Sequence, residues 1–317
     1  MTSSVRIADT EVSIIIPCFN ETESIGVLYQ SIAKTMATYS FEIIFVDDGS
    51  YDNTLERIVS LASTDSRVKY LSFSRNFGHQ KAIKAGLSKA KGQAVIMMDA
   101  DMQHPVSLLP LLIRKWKEGF EVVNTIRTDE RGSKYSKRLF SRLFYAFINF
   151  LSDTPIQHKS ADFRLLDKKV VDVLNQCHEE SFFLRGMIPW CGFRTCSVAY
   201  QAEKRWAGKS KYTYTKMVSL ALCGITAFSI KPLRLAILLA TFFVLLSLVE
   251  MIYVVYIYTF TDEIVSGWAS LAILISLLGA SVLFTLGIIG EYIGKLFMQS
   301  KQRPEYVVSK SSYDDSH

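Results

Sequence analysis

Charge is scarce in this chain. Asp, Glu, Lys and Arg make up only 21 % of its 317 residues against 49 % apolar, and the mean hydropathy is +0.19. That balance excludes a disordered or low-complexity protein, because abundant apolar side chains and a small net charge drive burial. It also argues against a wholly water-soluble chain. Cysteine is sparse: Cys18, Cys177, Cys191, Cys196 and Cys223 are an odd set without a CxxC pair. A zinc ribbon or a disulfide framework is therefore not expected, and these residues read as reduced thiols. His79, His104, His158, His178 and His317 lack ligand spacing and read as structural or exposed. No GxGxxG occurs, and Gly208-Lys209-Ser210 does not end a P-loop, because Glu203 stands where the first glycine belongs. NAD chemistry and nucleotide hydrolysis drop out accordingly. Internal repeats are lacking, Met1–Ala8 has no apolar run of the kind a secretory signal needs, the net charge is 36 − 30 = +6, and no nucleic-acid partner is expected.

Apolar residues are concentrated in two long runs. Leu235–Phe260 is interrupted only by Glu250, and Trp268–Gly290 carries no charge. A bilayer-spanning helix needs about 20 apolar residues, so both qualify. Asp262 and Glu263 lie between them, Lys231 and Arg234 precede them, and Lys295, Lys301 and Arg303 follow. The positive-inside rule then predicts a multi-pass hairpin in the plasma (inner) membrane with both ends cytoplasmic. Tyr135–Leu151 mixes Lys137, Arg138 and Arg142 with aromatic and aliphatic residues, while the uncharged Met217–Ile230 is too short to span. Helices at about 135–151 and 213–230 are expected to lie in the membrane interface; ordinary helices packed on the preceding domain are the alternative. Residues 1–230 read as a cytoplasmic domain, 231–300 as the hairpin and 301–317 as a cytoplasmic tail, polar and frayed from Ser309 onward.

Between Val12 and about Thr125 the pattern changes. Short β-branched runs (Val12–Ile16, Phe41–Val46, Ala94–Met98) alternate with helical stretches at Glu23–Met36, Asp52–Ala62 and His79–Ala90. Continuous apolar strands separated by helices predict a doubly wound α/β domain with a mostly parallel sheet, whose ligands gather at the carboxyl ends of the strands.

The chemistry-bearing residues fall at those ends. Pro17-Cys-Phe-Asn-Glu21 closes the first strand, Asp47-Asp48-Gly-Ser the second and Asp99-Ala-Asp101-Met-Gln103 the fourth. Paired carboxylates leaving a buried strand need compensation, and hard oxygen ligands suit Mg²⁺ or Mn²⁺ bridging a diphosphate. A lone DxD is also a common turn; the second acidic turn at the same sheet edge raises its weight. Arg127 and Arg131 after the fifth strand, and Arg205, Lys209 and Lys211 further on, are candidate phosphate contacts; a solvated basic face near the membrane is the plainer reading. Asp162-Phe-Arg164 is either a functional carboxylate or a structural ion pair at a helix start.

Pro17-x-Phe-Asn-Glu21, Val46-Asp-Asp48-Gly-Ser, Ser74-Arg-Asn-Phe-Gly78, Asp99-Ala-Asp-Met-Gln103, Asp162-Phe-Arg-Leu-Leu and Arg205-x-x-Gly-x-Ser-Lys-Tyr212 together resemble the family 2, GT-A-fold polyprenyl-phosphate glycosyltransferases. Within them the chain is similar to the GtrB-type bactoprenol glucosyltransferases, which also carry two C-terminal membrane helices. The resemblance runs from about Val12 to Arg303, with His104 and Met102 departing from the commoner residues. It implies inverting transfer of a hexose, glucose by subgroup, from a UDP-sugar to undecaprenyl phosphate at the cytoplasmic face. Pro17, Phe19, Asn20, Glu21 and Asp48 would cradle the nucleoside, and Asp99, Asp101 and Gln103 the metal and sugar diphosphate. Arg127, Arg131, Arg205, Lys209 and Lys211 would meet donor or acceptor phosphates, with Asp162 a base or an orienting group. Membrane lipids, a homo-oligomer and a lipid-sugar flippase are the implied partners.

Other donors with the same chemistry (UDP-N-acetylglucosamine, UDP-galactose, a UDP-aminopentose, or GDP-mannose with dolichyl phosphate) stay open at this stage. A processive polysaccharide synthase would carry Gln-x-x-Arg-Trp, whereas Ala202 precedes Arg205-Trp206 at the glutamine position. A non-enzymatic anchor has no use for the acidic strand ends.

Overall fold

The computed structural model describes residues 10–128, 160–177, 179, 183–201, 229–260 and 267–313. Arg131, Arg205, Lys209 and Lys211, and nearly all of the two interfacial helices, lie outside these residues.

The domain alternates strands and helices as the sequence pattern predicts: β1 (Val12–Cys18), α1 (Thr22–Thr35), β2 (Phe41–Asp47), α2 (Thr54–Thr64), β3 (Val68–Phe73), α3 (His79–Lys89), β4 (Ala94–Met97), α4 (Leu109–Lys117) and β5 (Val122–Arg127). Then come β6 (Ser160–Asp167), α5 (Lys168–Gln176), α6 (Leu184–Trp190) and β7 (Thr195–Tyr200). All seven residues of β1 are buried, because alternate side chains enter different cores. Val12, Ile14 and Ile16 pack on one face of the sheet with Ile25, Leu28 and Ile32 of α1, and Ile15 packs on the other with Ala82 and Ala85 of α3. Helices thus cover both faces, and each fully buried Ile or Leu contributes about 1.5–3 kcal/mol.

The sheet order is β7-β5-β6-β4-β1-β2-β3-β8. β1 pairs in parallel with β2 and β4, β2 with β3, and β5 with β7, whereas β6 runs antiparallel between β4 and β5. This inserted strand corrects one expectation. Asp162 and Arg164 sit within β6, well before α5, and not at a helix start.

Two further helices follow, α7 (Lys231–Phe260) and α8 (Trp268–Ser300). Both are long and apolar enough to cross a membrane. They contain the expected runs and extend beyond them, α8 by about three turns past Gly290. Their apolar side chains are exposed, for example Ile237 at 66 % and Leu283 at 71 %, as lipid-facing residues are and core residues are not. The chain then returns: β8 (Val308–Ser311) pairs antiparallel with β3 as the sheet edge. The tail is therefore ordered through Tyr313, contrary to the expectation of fraying from Ser309. Ser309 Oγ donates to Ser72 O, and the Tyr306 ring stacks on Phe73 at 4.9 Å. Lys84 Nζ contacts the Glu305 carboxylate at 2.5 Å.

Candidate active site

The site opens where the sheet stops pairing. β1 and β4 pair only as far as Ile15 opposite Met97, whereas β1 and β2 continue to Cys18 opposite Asp47. Pro17 supplies the reason, since it has no N–H with which to extend the ladder toward β4. A crevice results at the carboxyl ends of β1 and β4.

On the β2 side two loops fasten to each other. Asn20, at φ 55°, donates its N–H to Ser50 Oγ at 2.9 Å, and its Oδ1 accepts from Tyr51 N at 2.9 Å. Glu21 N donates to Thr54 Oγ1 at 2.8 Å. Phe19 meets Tyr51 edge to face at 6.0 Å, and Tyr51 is 84 % exposed. An exposed ring supported by a second ring offers a platform for a nucleobase. Tyr51 escaped the sequence reading, which stopped at Ser50.

Asp48, expected to cradle the nucleoside, is buried and spends its carboxylate on the loop after β3. Its oxygens accept from Phe77 N at 2.7 Å and Gly78 N at 3.0 Å. Burial raises its pKa, only partly offset by those two donors. The geometry gives it the task of placing Gly78, and with it His79 at the start of α3.

Asp99 and Asp101 project from the turn after β4. Asp101 Oδ1 accepts from Gln103 N at 3.1 Å, and Met102 takes φ 64° to make the turn. The Gln103 side-chain oxygen accepts from Arg127 Nη1 at 3.3 Å, which brings the end of β5 to the same place. Asp99 N donates to Nδ1 of the buried His104, whose ring stacks on Phe163 at 4.9 Å. Among the described residues no group of three or more His, Cys, Asp or Glu is arranged to hold a metal. Two carboxylates without sulfur fit a hard cation that takes its remaining ligands from a bound diphosphate and water.

β6 completes the constellation. Its register with β4, Met97 opposite Arg164, carries Asp162 toward Asp99. His79 Nε2 lies 3.6 Å from Asp99 Oδ1 and 3.6 Å from Asp162 Oδ2. Arg185 of α6 grips Asp162 in a fork, Nε to Oδ1 at 2.9 Å and Nη2 to Oδ2 at 3.0 Å, and the buried Arg164 stands 3.7 Å away. Burial alone would raise the Asp162 carboxyl, but the His79 contact and the Arg185 pair outweigh it and hold it well below the carboxylate range. Burial would likewise lower His79, yet the Asp162 contact and the two carboxylate charges bring its pKa to about 9. Burial pulls Arg164 down to about 10, still a cation at neutral pH.

The reading of His79 and His104 as structural or exposed holds, since His104 is buried against Phe163 and the His79 side chain is 41 % exposed, and the structure adds that both adjoin Asp99. For His79, spacing along the chain held no sign of this, because Asp162 arrives from β6, and Arg185 was missed for the same reason. Cys18 is buried beside Asp47 and Glu21, and burial keeps its thiol protonated and inert.

Such an arrangement binds and orients anionic groups; a carboxylate so firmly ionised is a poor proton acceptor. Residues 13–174 match the family model described as Glycosyl transferase family 2. The glycosyltransferase YkcC of Bacillus subtilis is 40 % identical over 94 % of this chain and 93 % of its own. A prophage-derived bactoprenol glucosyl transferase of Shigella flexneri is 37 % identical over 95 % of this chain and 98 % of its own, and the bactoprenol glucosyl transferase of Shigella phage SfV is 37 % identical over 94 % and 98 %. On a mixed sheet of GT-A type, with its acidic residues at the carboxyl ends of the strands, the chain belongs to glycosyl transferase family 2.

Proposed function

We propose that this glycosyltransferase moves glucose from UDP-glucose onto bactoprenol (undecaprenyl) phosphate, with inversion, at the cytoplasmic face of the membrane. One observation carries the reading. The Asp99–His79–Asp162 constellation stands at the carboxyl end of β4 on a domain that carries two membrane-length helices, which supports a donor site within reach of a lipid acceptor. The names of the Shigella relatives support the sugar and the acceptor.

In this reading an acceptor phosphate oxygen forms the new bond to the anomeric carbon as the bond to UDP breaks. The acceptor is a phosphate monoester with a second pKa of about 6, so it is already anionic and needs no general base. What the protein supplies is in-line positioning and charge compensation. Phe19 and Tyr51 take the nucleobase. Asp99 and Asp101 would hold Mg²⁺ or Mn²⁺, with Gln103 and Arg127 beside it. When bound, the cation would supply charge neutralisation for the diphosphate. Asp162 orients the sugar and anchors the surrounding cations. Arg131, Arg205, Lys209 and Lys211 meet the phosphates. A second copy of the chain and a flippase for the lipid-linked sugar belong to the same reading.

The test is to incubate the purified full chain with undecaprenyl phosphate and, separately, UDP-glucose, UDP-N-acetylglucosamine, UDP-galactose and GDP-mannose, then weigh the lipid product. One added hexose from UDP-glucose, lost in excess EDTA, is expected. A polymer would indicate a processive synthase, and no glycolipid with any donor would refute the assignment. Arg205→Ala should lower turnover by about ten- to hundred-fold, the loss of one charged contact of about 1.5–3 kcal/mol, with partial rescue in Arg205→Lys.

A further inference from the structure

A cavity of about 480 Å³ lies where α8 ends and the chain turns back to the sheet. Lys81 of α3 lines one side, and Met298, Gln299, Gln302 and Arg303 line the other. Glu305 also lines it; one oxygen of its carboxylate meets Lys84 at 2.5 Å, which balances its charge, and the other is buried without a hydrogen-bond partner. Among the described residues, neither Lys81 nor Arg303 has an ion-pair or hydrogen-bond partner for its side chain. The cavity therefore presents two uncompensated positive charges and two side-chain amides. Its height is set by α8: exposed Leu296, Phe297 and Met298 mark the end of the apolar surface, and Lys301 and Arg303 follow at once. That places the cations at headgroup depth, where basic pockets beside membrane helices take lipid phosphates.

We propose that this cavity seats the phosphate of an anionic phospholipid, such as phosphatidylglycerol, as a site separate from the catalytic crevice. Charge complementarity favours a phosphodiester, and the amides of Gln299 and Gln302 supply neutral donors for its remaining oxygens. Lys81 lies two residues after His79 on the same helix, so the bound lipid fixes α3 against α8 at a set depth. The inference rests on the reading that α8 enters a bilayer.

The test uses the full chain in detergent, titrated with phosphatidylglycerol or phosphatidylcholine and followed by native mass spectrometry. One phosphatidylglycerol should bind in preference to phosphatidylcholine. Lys81→Gln/Arg303→Gln should weaken that event about 30-fold, equivalent to about 2 kcal/mol at 1.4 kcal/mol per decade, and leave phosphatidylcholine unaffected. Lys81→Arg/Arg303→Lys should keep it, and an unchanged lipid-free unfolding midpoint in both variants shows that they are folded. Equal affinity for the two lipids, or undiminished phosphatidylglycerol binding in the glutamine variant, would overturn the proposal. Displacement of the lipid by inorganic phosphate would assign the cavity to free phosphate instead. A chain that stays soluble without detergent and ignores vesicles would remove the membrane reading and this site together, whereas membrane insertion without lipid preference would remove only the site.

Discussion

Asp162 shows how three cations define one carboxylate. Replacing it by Asn keeps the shape but leaves His79, Arg164 and Arg185 around a neutral amide, and unpaired buried charge is costly. Asp162→Asn should lower kcat by about 10²–10³-fold with a smaller change in the KM for the donor, since the lost term is preorganised charge at the reacting centre. Because its pKa lies well below 3.8, the carboxylate stays ionised across about pH 5–8, and the pH profile of kcat should show no limb that Asp162→Asn removes. A limb lost in that variant would make Asp162 a base. Asp65 offers a simpler titration. Arg67 and Tyr29 hydrogen bonds bring it to about 2 against 3.8. A carboxyl depressed in the folded state stabilises above its unfolded pKa and loses that contribution as pH falls from about 4 through 2. Asp65→Asn should cost about 1 kcal/mol at neutral pH, after allowance for solvent screening, and only a small part of that near pH 2, as denaturant titration at both pH values will measure. The acidic pair Asp99 and Asp101 was legible in the sequence because strand context and spacing are local. His79 was not, since its two partners, one in the turn after β4 and one in β6, approach it only in the folded sheet.

Among the described elements, the turn after β2 tolerates little change. Gly49 has φ +69°, and a Cβ there would lie 2.5 Å from the Arg75 backbone. Gly49→Ala therefore combines left-handed strain with a clash against backbone that cannot swing aside. It should cost about 2 kcal/mol or more and weaken donor binding, by shifting the loop that Asp48 holds; calorimetry and nucleotide titration check both. The strands β1, β2 and β4 were readable because continuous apolar runs admit little else. β6 was not, as its antiparallel insertion is decided by the neighbours it finds. β8 gave still less signal: Val308-Ser-Lys-Ser311 is short, polar and exposed, as edge strands tend to be.

At the scale of the whole molecule, the outer ends of the helical pair meet each other, and the chain after α8 returns to the sheet. Ser229, just before α7, accepts through its carbonyl from Tyr292 Oη of α8 at 2.6 Å, and β8 lies beside β3. A membrane spanned by both helices must then have Phe260 and Trp268 on the face opposite the catalytic domain. A cysteine at Ser266 should react with an impermeant thiol reagent applied outside intact cells, and labelling only after permeabilisation would contradict this. Removing residues 304–317 deletes the β3 partner, the Phe73–Tyr306 stack and the Lys84–Glu305 pair. Its unfolding midpoint should drop by several degrees, at about 2–4 °C per kcal/mol for a domain of this size.

That returning strand also imposes an order on biosynthesis. Tyr70 N donates to Ser312 Oγ across 242 positions, so a ribosome delivers β3 long before its neighbour exists. Chains emerge N-terminus first at about 5–20 residues per second, and the outer edge of β3 stays bare until both apolar helices have left the tunnel. The sheet is thus completed last at an edge that was made early. A chain that stops before Val308 is left with an open strand edge, and that edge distinguishes a stalled molecule from a completed one.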